Sequence, residues 1–191
     1  MNSSQFKIRE GKAIPYGGQE KSFKKTFRNG GESRGMGSFK YAFIRVRNYV
    51  LFLLAYVAPS NRLRVMLNRW KGVNIADDAY IGMCVFIDNA YPEYIYIEEN
   101  VSISAGAMLV AHFNPKSHFN RLLRARVEPI VIKKGAMVAL RAIIMPGVTI
   151  GENAIISAAT VVDKDVSEFT IVKGNPMVKV TDFKILFKNR K

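Results

Sequence analysis

A chain of 191 residues with 49% apolar content can bury one sizeable core, which excludes a disordered polypeptide. Its formal net charge of +14 points toward nucleic acid, but residues 1–72 hold 15 Lys/Arg against 3 Asp/Glu while residues 73–191 hold 14 against 12, so the excess is local. The single cysteine, Cys84, excludes an intrachain disulfide and fits a reducing, cytoplasmic setting.

Residues 1–40 are rich in Gly, Ser, Lys and Arg, with few apolar runs, and read as a flexible basic arm. They lack the apolar stretch of a secretory signal. Residues 41–72 read as a helical segment. In its first helix Tyr41, Phe43, Ile44, Val46, Tyr49, Val50 and Leu53 follow helical spacing. The lipophilic run from Tyr49 to Ala58, ended by Pro59, is too short to span a bilayer. Ser60 is placed to cap a second helix whose stripe is Leu63, Met66, Leu67 and Trp70, with Arg62, Arg64 and Arg69 around it, and Gly72 closes it.

Beyond Gly72 the period becomes six. Hexads begin at Ile75, Ile81, Ile97, Ile103, Ile132, Val138, Ile144, Ile150, Ile156 and Val162, each with Ala, Val or Thr at position five. An α-helix cannot use this period, and a flat strand would alternate every two residues. A narrow triangular solenoid does use it: one bulky aliphatic per side points inward, and the residue next to each corner must be small. Such coils bury their edges only by stacking, which predicts a mainly β protein, a parallel β-helix over residues 73–180. Asn89 to Tyr96 reads as a short insertion, about 113–128 as a long excursion loop, and 181–191 as a basic tail. A long loop thrown out of a strict solenoid suggests function.

Three segments, Ile144-Met-Pro-Gly-Val-Thr-Ile-Gly-Glu-Asn153, Val161-Val-Asp-Lys-Asp-Val166 and Lys173-Gly-Asn-Pro176, resemble the hexapeptide-repeat acyltransferases, most closely those that O-acetylate sugars and polysaccharides. The resemblance covers more than half of the chain. It implies a left-handed β-helix, a homotrimer, and acetyl-CoA as co-substrate in the groove between subunits. It also implies that the backbone at Ala139, Leu140 and Ala158 meets the pantetheine arm and that Lys164 meets the nucleotide end. The chain departs from the pattern at Met137-Val138-Ala139, at Leu140-Arg141, and at Met177-Val178-Lys179, where a basic residue is displaced by one.

O-acetylation needs a base for the acceptor hydroxyl and donors for the oxyanion. The chain has two histidines, His112 and His118, both at the long loop. His112 ends a regular coil, where geometry is held best, and is the expected general base, matching the position of the family's catalytic histidine. His118, Asn114 and Asp88 are candidate acceptor contacts, Asp88 by resemblance to an acceptor-binding acid, although Asp88-Asn89 also has turn chemistry. No metal is expected, since a zinc enzyme on this solenoid needs three histidine ligands.

The functional expectation is an O-acetyltransferase for a sugar or polysaccharide hydroxyl, of capsule, O-antigen or exopolysaccharide type. Serine or another small acceptor is the alternative, disfavoured for serine because the helical segment is too short for that family's N-terminal domain. From another class, the chain could be a basic, non-catalytic trimeric module for a membrane surface or nucleic acid. Basic residues beside an apolar helix suit peripheral contact with the inner face of a membrane, and an acceptor that is a lipid-linked glycan. They suit packing on the solenoid's open end equally well. Nucleic acid is disfavoured, since the aromatic interleaving of single-strand binders is absent.

Overall fold

The computed structural model describes residues 6–9, 12–15, 38–113 and 126–184. Two short strands, Phe6–Arg9 and Lys12–Pro15, pair antiparallel within the stretch expected to be an arm. Two helices follow, α1 at Ser38–Val57 and α2 at Asn61–Lys71. The Ser60 hydroxyl accepts the Leu63 N–H at 3.3 Å, and Gly72 ends α2 at a φ of 113°, a conformation that favours glycine.

From Asn74 onward the chain winds as a left-handed parallel β-helix whose three faces are sheets of four, six and four strands. Each face carries one inward column. Ile75, Ile97, Ile132 and Ile150 stack on the first face, and Ile81, Ile103, Val138, Ile156 and Val172 on the second. Ile87, Leu109, Ile144 and Val162 stack on the third. All of these residues are buried, as are the ten small residues at position five, from Ala79 to Val166. The hexad rule therefore describes the packed core directly.

Corners obey a second rule. Eight of the ten hexads place position four in the left-handed region: Cys84, Asn100, Gly106, Gly135, Arg141, Gly147, Asn153 and Ala159. Glycine and asparagine tolerate it, whereas Cys84, Arg141 and Ala159 hold it at a cost of roughly 1 kcal/mol each. The insertion is shorter than the sequence suggested. A 3-10 turn at Pro92–Tyr94 returns the chain to the first face, where Ile95–Ile97 is already a strand. At the far end Val178–Asp182 turns back antiparallel on Thr170–Lys173, so the solenoid closes on a hairpin.

The near end is closed by α2, and here the structure corrects the expected stripe. Trp70 and Met66 are exposed, while Arg64, Asn68 and Lys71 are buried. The first coil has no coil beneath it, so its carbonyls would be orphaned, and α2 supplies donors to them. Arg69 donates to Ile75 O at 2.9 and 2.6 Å, Arg64 to Ile81 O at 2.6 Å, and Lys71 to Ile87 O at 2.7 Å, one per face. Asn61 bridges the corner, giving its amide to Ala79 O at 3.0 Å and accepting the Ile81 N–H at 2.8 Å. Arg64 also donates to Ala58 O at 2.6 Å, tying the link between the helices to the cap.

Arg64→Leu should leave the Ile81 and Ala58 carbonyls buried without that donor, at a cost of about 2–4 kcal/mol read from urea denaturation. The exposed neighbour Arg62→Leu should stay within about 0.5 kcal/mol. Equal midpoints for the two variants would refute this account of the cap.

Candidate active site

After Met108–Leu109 the third face of the second coil does not turn its corner. His112–Phe113 instead pairs antiparallel with Arg126–Val127, His112 opposite Val127, forming the neck of the excursion. One coil below, Ile87 stacks on Leu109, so Asp88 leaves the first coil directly under the start of that neck. The Asp88 N–H donates to Leu109 O at 3.0 Å.

Asp88 is fully buried, and both of its carboxylate oxygens are engaged. Oδ1 accepts the N–H groups of Ala90 at 2.8 Å and Tyr91 at 3.2 Å, and Oδ2 accepts the Ala111 N–H at 3.0 Å. Oδ2 also lies 2.5 Å from His112 Nδ1. A carboxylate can only accept, so the neutral ring carries its proton on Nδ1 and keeps a lone pair on Nε2. The Tyr91 ring lies 5.4 Å from the imidazole, centroid to centroid. The turn chemistry read at Asp88-Asn89 is present in the bonds from Ala90 and Tyr91, and the same carboxylate also orients His112.

The hydrogen bond that His112 donates to Asp88 pushes the His112 pKa up from its ordinary value, against partial burial and the nearby charge of Arg45. Burial alone would raise the Asp88 carboxyl, but the His112 hydrogen bond and charge, with the two backbone donors, outweigh it and hold the carboxyl down. Lys71 stands beside this pair. Its ammonium donates to Ile87 O and, at 3.2 Å, to Asn89 Oδ1, and burial lowers its pKa to about 7 although Asp88 opposes the shift.

The half-buried ring of His112 borders a cleft of about 490 Å³. Its other walls are Phe86, Asp88, Asn89 and Ala90 from the first coil and Arg45, Val46 and Tyr49 from α1. Among the described residues no group of three or more His, Cys, Asp or Glu could hold a metal ion.

No known family model matches the sequence. A putative acetyltransferase, YvoF, of Bacillus subtilis (strain 168) is 28% identical over 133 residues, covering 69% of this chain and 74% of that protein. A 2,3,4,5-tetrahydropyridine-2,6-dicarboxylate N-acetyltransferase of Staphylococcus aureus is 32% identical over 78 residues, 41% of this chain, but the match spans 29% of that relative's length. Among solved structures, a hexapeptide-repeat acetyltransferase of Vibrio cholerae O1 biovar eltor, complexed with acetyl coenzyme A, superposes with a TM-score of 0.65 at 21% identity. It covers 84% of this chain and 97% of its own. A galactoside acetyltransferase in complex with coenzyme A has a TM-score of 0.59 at 20% identity, covering 87% of this chain and 93% of its own.

The chain has the fold of the hexapeptide-repeat acyltransferases.

On this hexapeptide solenoid the residues expected to meet coenzyme A occupy a different place from His112. Ala139, Leu140 and Arg141 turn the corner from the second to the third face of the third coil, and Ala158-Ala159 turn the same corner one coil further on. The Ala139 N–H is committed to Ile156 O at 2.9 Å and the Arg141 N–H to Ala105 O at 3.2 Å, while Leu140 O accepts the Ala159 N–H at 2.9 Å. Lys164 sits on the exposed turn after the third face of the fourth coil. None of Ala139, Leu140, Ala158 and Lys164 lines the His112 cleft. Asn114 and His118 lie outside the described residues.

Sequence reasoning missed Arg45, Tyr49 and Lys71, because nothing in the spacing of a helix says which coil it will cover. The Asp88–His112 pair left a trace: Asp88 follows the column residue Ile87, and the neck begins just after its partner Leu109.

The two shifts set a pH window. His112, raised in the fold, stabilises it fully below its unfolded value and loses this as pH rises through the folded value. Asp88, depressed, stabilises it fully above its unfolded value and loses this as pH falls through the folded value. The pair should therefore contribute most from about pH 4 to about pH 6.5. In Asp88→Asn this bulge in the pH–stability curve should flatten, and the His112 ring should titrate at lower pH by NMR. An unshifted ring titration would show that Asp88 does not control His112.

Proposed function

We propose that the protein is an acetyl-CoA-dependent O-acetyltransferase acting on a hydroxyl of a sugar or polysaccharide. The observation that carries this reading is the carboxylate-held imidazole at the cleft wall. Asp88 fixes the ring and its tautomer, and Nε2 is left to take a proton. In the proposed step the acceptor hydroxyl gives its proton to His112 Nε2 as its oxygen attacks the thioester carbonyl. The C–S bond then breaks, and the departing thiolate recovers the proton from the imidazolium, so that no net charge is created.

The corner backbone at Ala139, Leu140 and Ala158 is proposed to run along the pantetheine amides, with Lys164 at the phosphorylated end. Because this corner does not border the His112 cleft, a complete site is best built between two copies of the chain, as a homotrimer arranges. The outward residues Met83, Met108, Met137 and Leu140 support that assembly, since they leave large apolar side chains exposed on a single copy. The galactoside enzyme among the structural neighbours supports a carbohydrate acceptor. Asn114 and His118 are proposed as acceptor contacts on the excursion.

Thiol release from acetyl-CoA with a panel of sugar acceptors tests the reading. His112→Ala should lower kcat/KM at least about 100-fold with the oligomer intact. The wild-type profile of kcat/KM should rise with pH through an apparent pKa above the ordinary histidine value, because Asp88 stabilises the imidazolium, and Asp88→Asn should move that limb to lower pH. Undiminished release by His112→Ala would remove His112 from the chemistry.

A further inference from the structure

The helix α1 is inverted relative to an ordinary surface helix. At about 100° per residue, Phe43, Val46, Val50, Leu53, Leu54 and Val57 fall within one arc of roughly 100°. Such a stripe normally faces a core. Here all six side chains are exposed, Phe43 at 66% and Val57 at 65%, while Asn48 and Ala55 on the opposite side are buried. Arg47 flanks one edge of the arc, and Tyr49 followed by Arg45 flanks the other, both arginines being exposed. Val46, Tyr49 and Arg45 also line the His112 cleft, so the apolar face runs into the mouth of the site.

We infer that this face docks on an anionic lipid bilayer, with α1 lying in the interface and the His112 cleft opening at the membrane surface. Charge selects this occupant. The helix α1 carries three Lys/Arg and no Asp/Glu, so the same helix of a second copy laid on it would bring like charges together. Anionic headgroups complement the flanking arginines, and the acyl boundary takes the apolar arc. No described helix is long and apolar enough to cross a membrane. Docking does not depend on acetyl transfer. If both hold, the acceptor hydroxyl belongs to a glycan displayed at that surface.

Co-sedimentation of the full chain with phosphatidylcholine vesicles, with and without phosphatidylglycerol, tests the docking. Val50→Glu/Leu54→Glu changes the arc without touching the cleft, and light scattering after size exclusion reads the oligomer. We expect binding to the phosphatidylglycerol vesicles alone, weakened by salt and reduced at least about tenfold in the double variant, with the oligomer and thiol release in solution unchanged. Arg47→Gln should weaken the same binding with the arc intact. The inference is overturned if the chain ignores the anionic vesicles, if the double variant binds as well as wild type, or if that variant dissociates the oligomer, which would make α1 a contact between copies. Loss of thiol release in His112→Ala leaves vesicle binding untouched, so the two readings fail separately.

Discussion

The open edge of the first coil is the constraint on which the rest of the molecule depends. A parallel solenoid satisfies each coil's backbone with the next, so its first coil is a row of carbonyls without donors. The long, polar side chains of α2 answer that need, with Arg69, Arg64 and Lys71 each reaching one of the three faces. Guanidinium and ammonium groups suit the task because they donate without accepting, and the carbonyls they meet can only accept. Burying those cations is costly, and the hydrogen bonds offset that cost only while each carbonyl stays in place.

From this edge order passes upward to the site. Lys71 binds both the Ile87 carbonyl and the Asn89 side chain, and so grips the chain on either side of Asp88. Ile87 stacks on Leu109, which fixes the height of the neck carrying His112. The 2.5 Å contact between Asp88 and His112 thus joins residues 24 apart in sequence through one coil of core packing. A site built on two adjacent rungs of a rigid ladder needs little further ordering to hold its geometry.

Most of the solenoid was legible because its core is written in single residues. The aliphatic at position one and the small residue at position five are buried in all ten hexads, so period and burial coincide. The corner rule was less visible, since Cys84, Arg141 and Ala159 adopt the left-handed conformation without the glycine or asparagine that would advertise it. Two helices were expected and two are present, but their buried faces were misjudged. Apolar periodicity names a helix, and it assigns the apolar side to the core only when the core is apolar. Under α2 the core ends in backbone polar groups, so Arg64 and Lys71 turn inward and Trp70 turns out.

The same reversal explains why the position of His112 at the end of a coil could be read from sequence while its surroundings could not. His112 lies three residues past the column residue Leu109, where the repeat stops and the neck begins, so the repeat fixes where it starts. Arg45 and Tyr49 reach the cleft only because α1 crosses the flank of the first coil, where Phe52 meets Phe86 at 5.5 Å and Tyr56 O accepts the Cys84 N–H at 3.1 Å. Those contacts use one side of α1, and the side left over is the apolar arc. Exposure of that arc is therefore a consequence of how the solenoid is capped: α1 spends its inner face on Phe86 and the cap helix, and its outer face needs a nonaqueous partner.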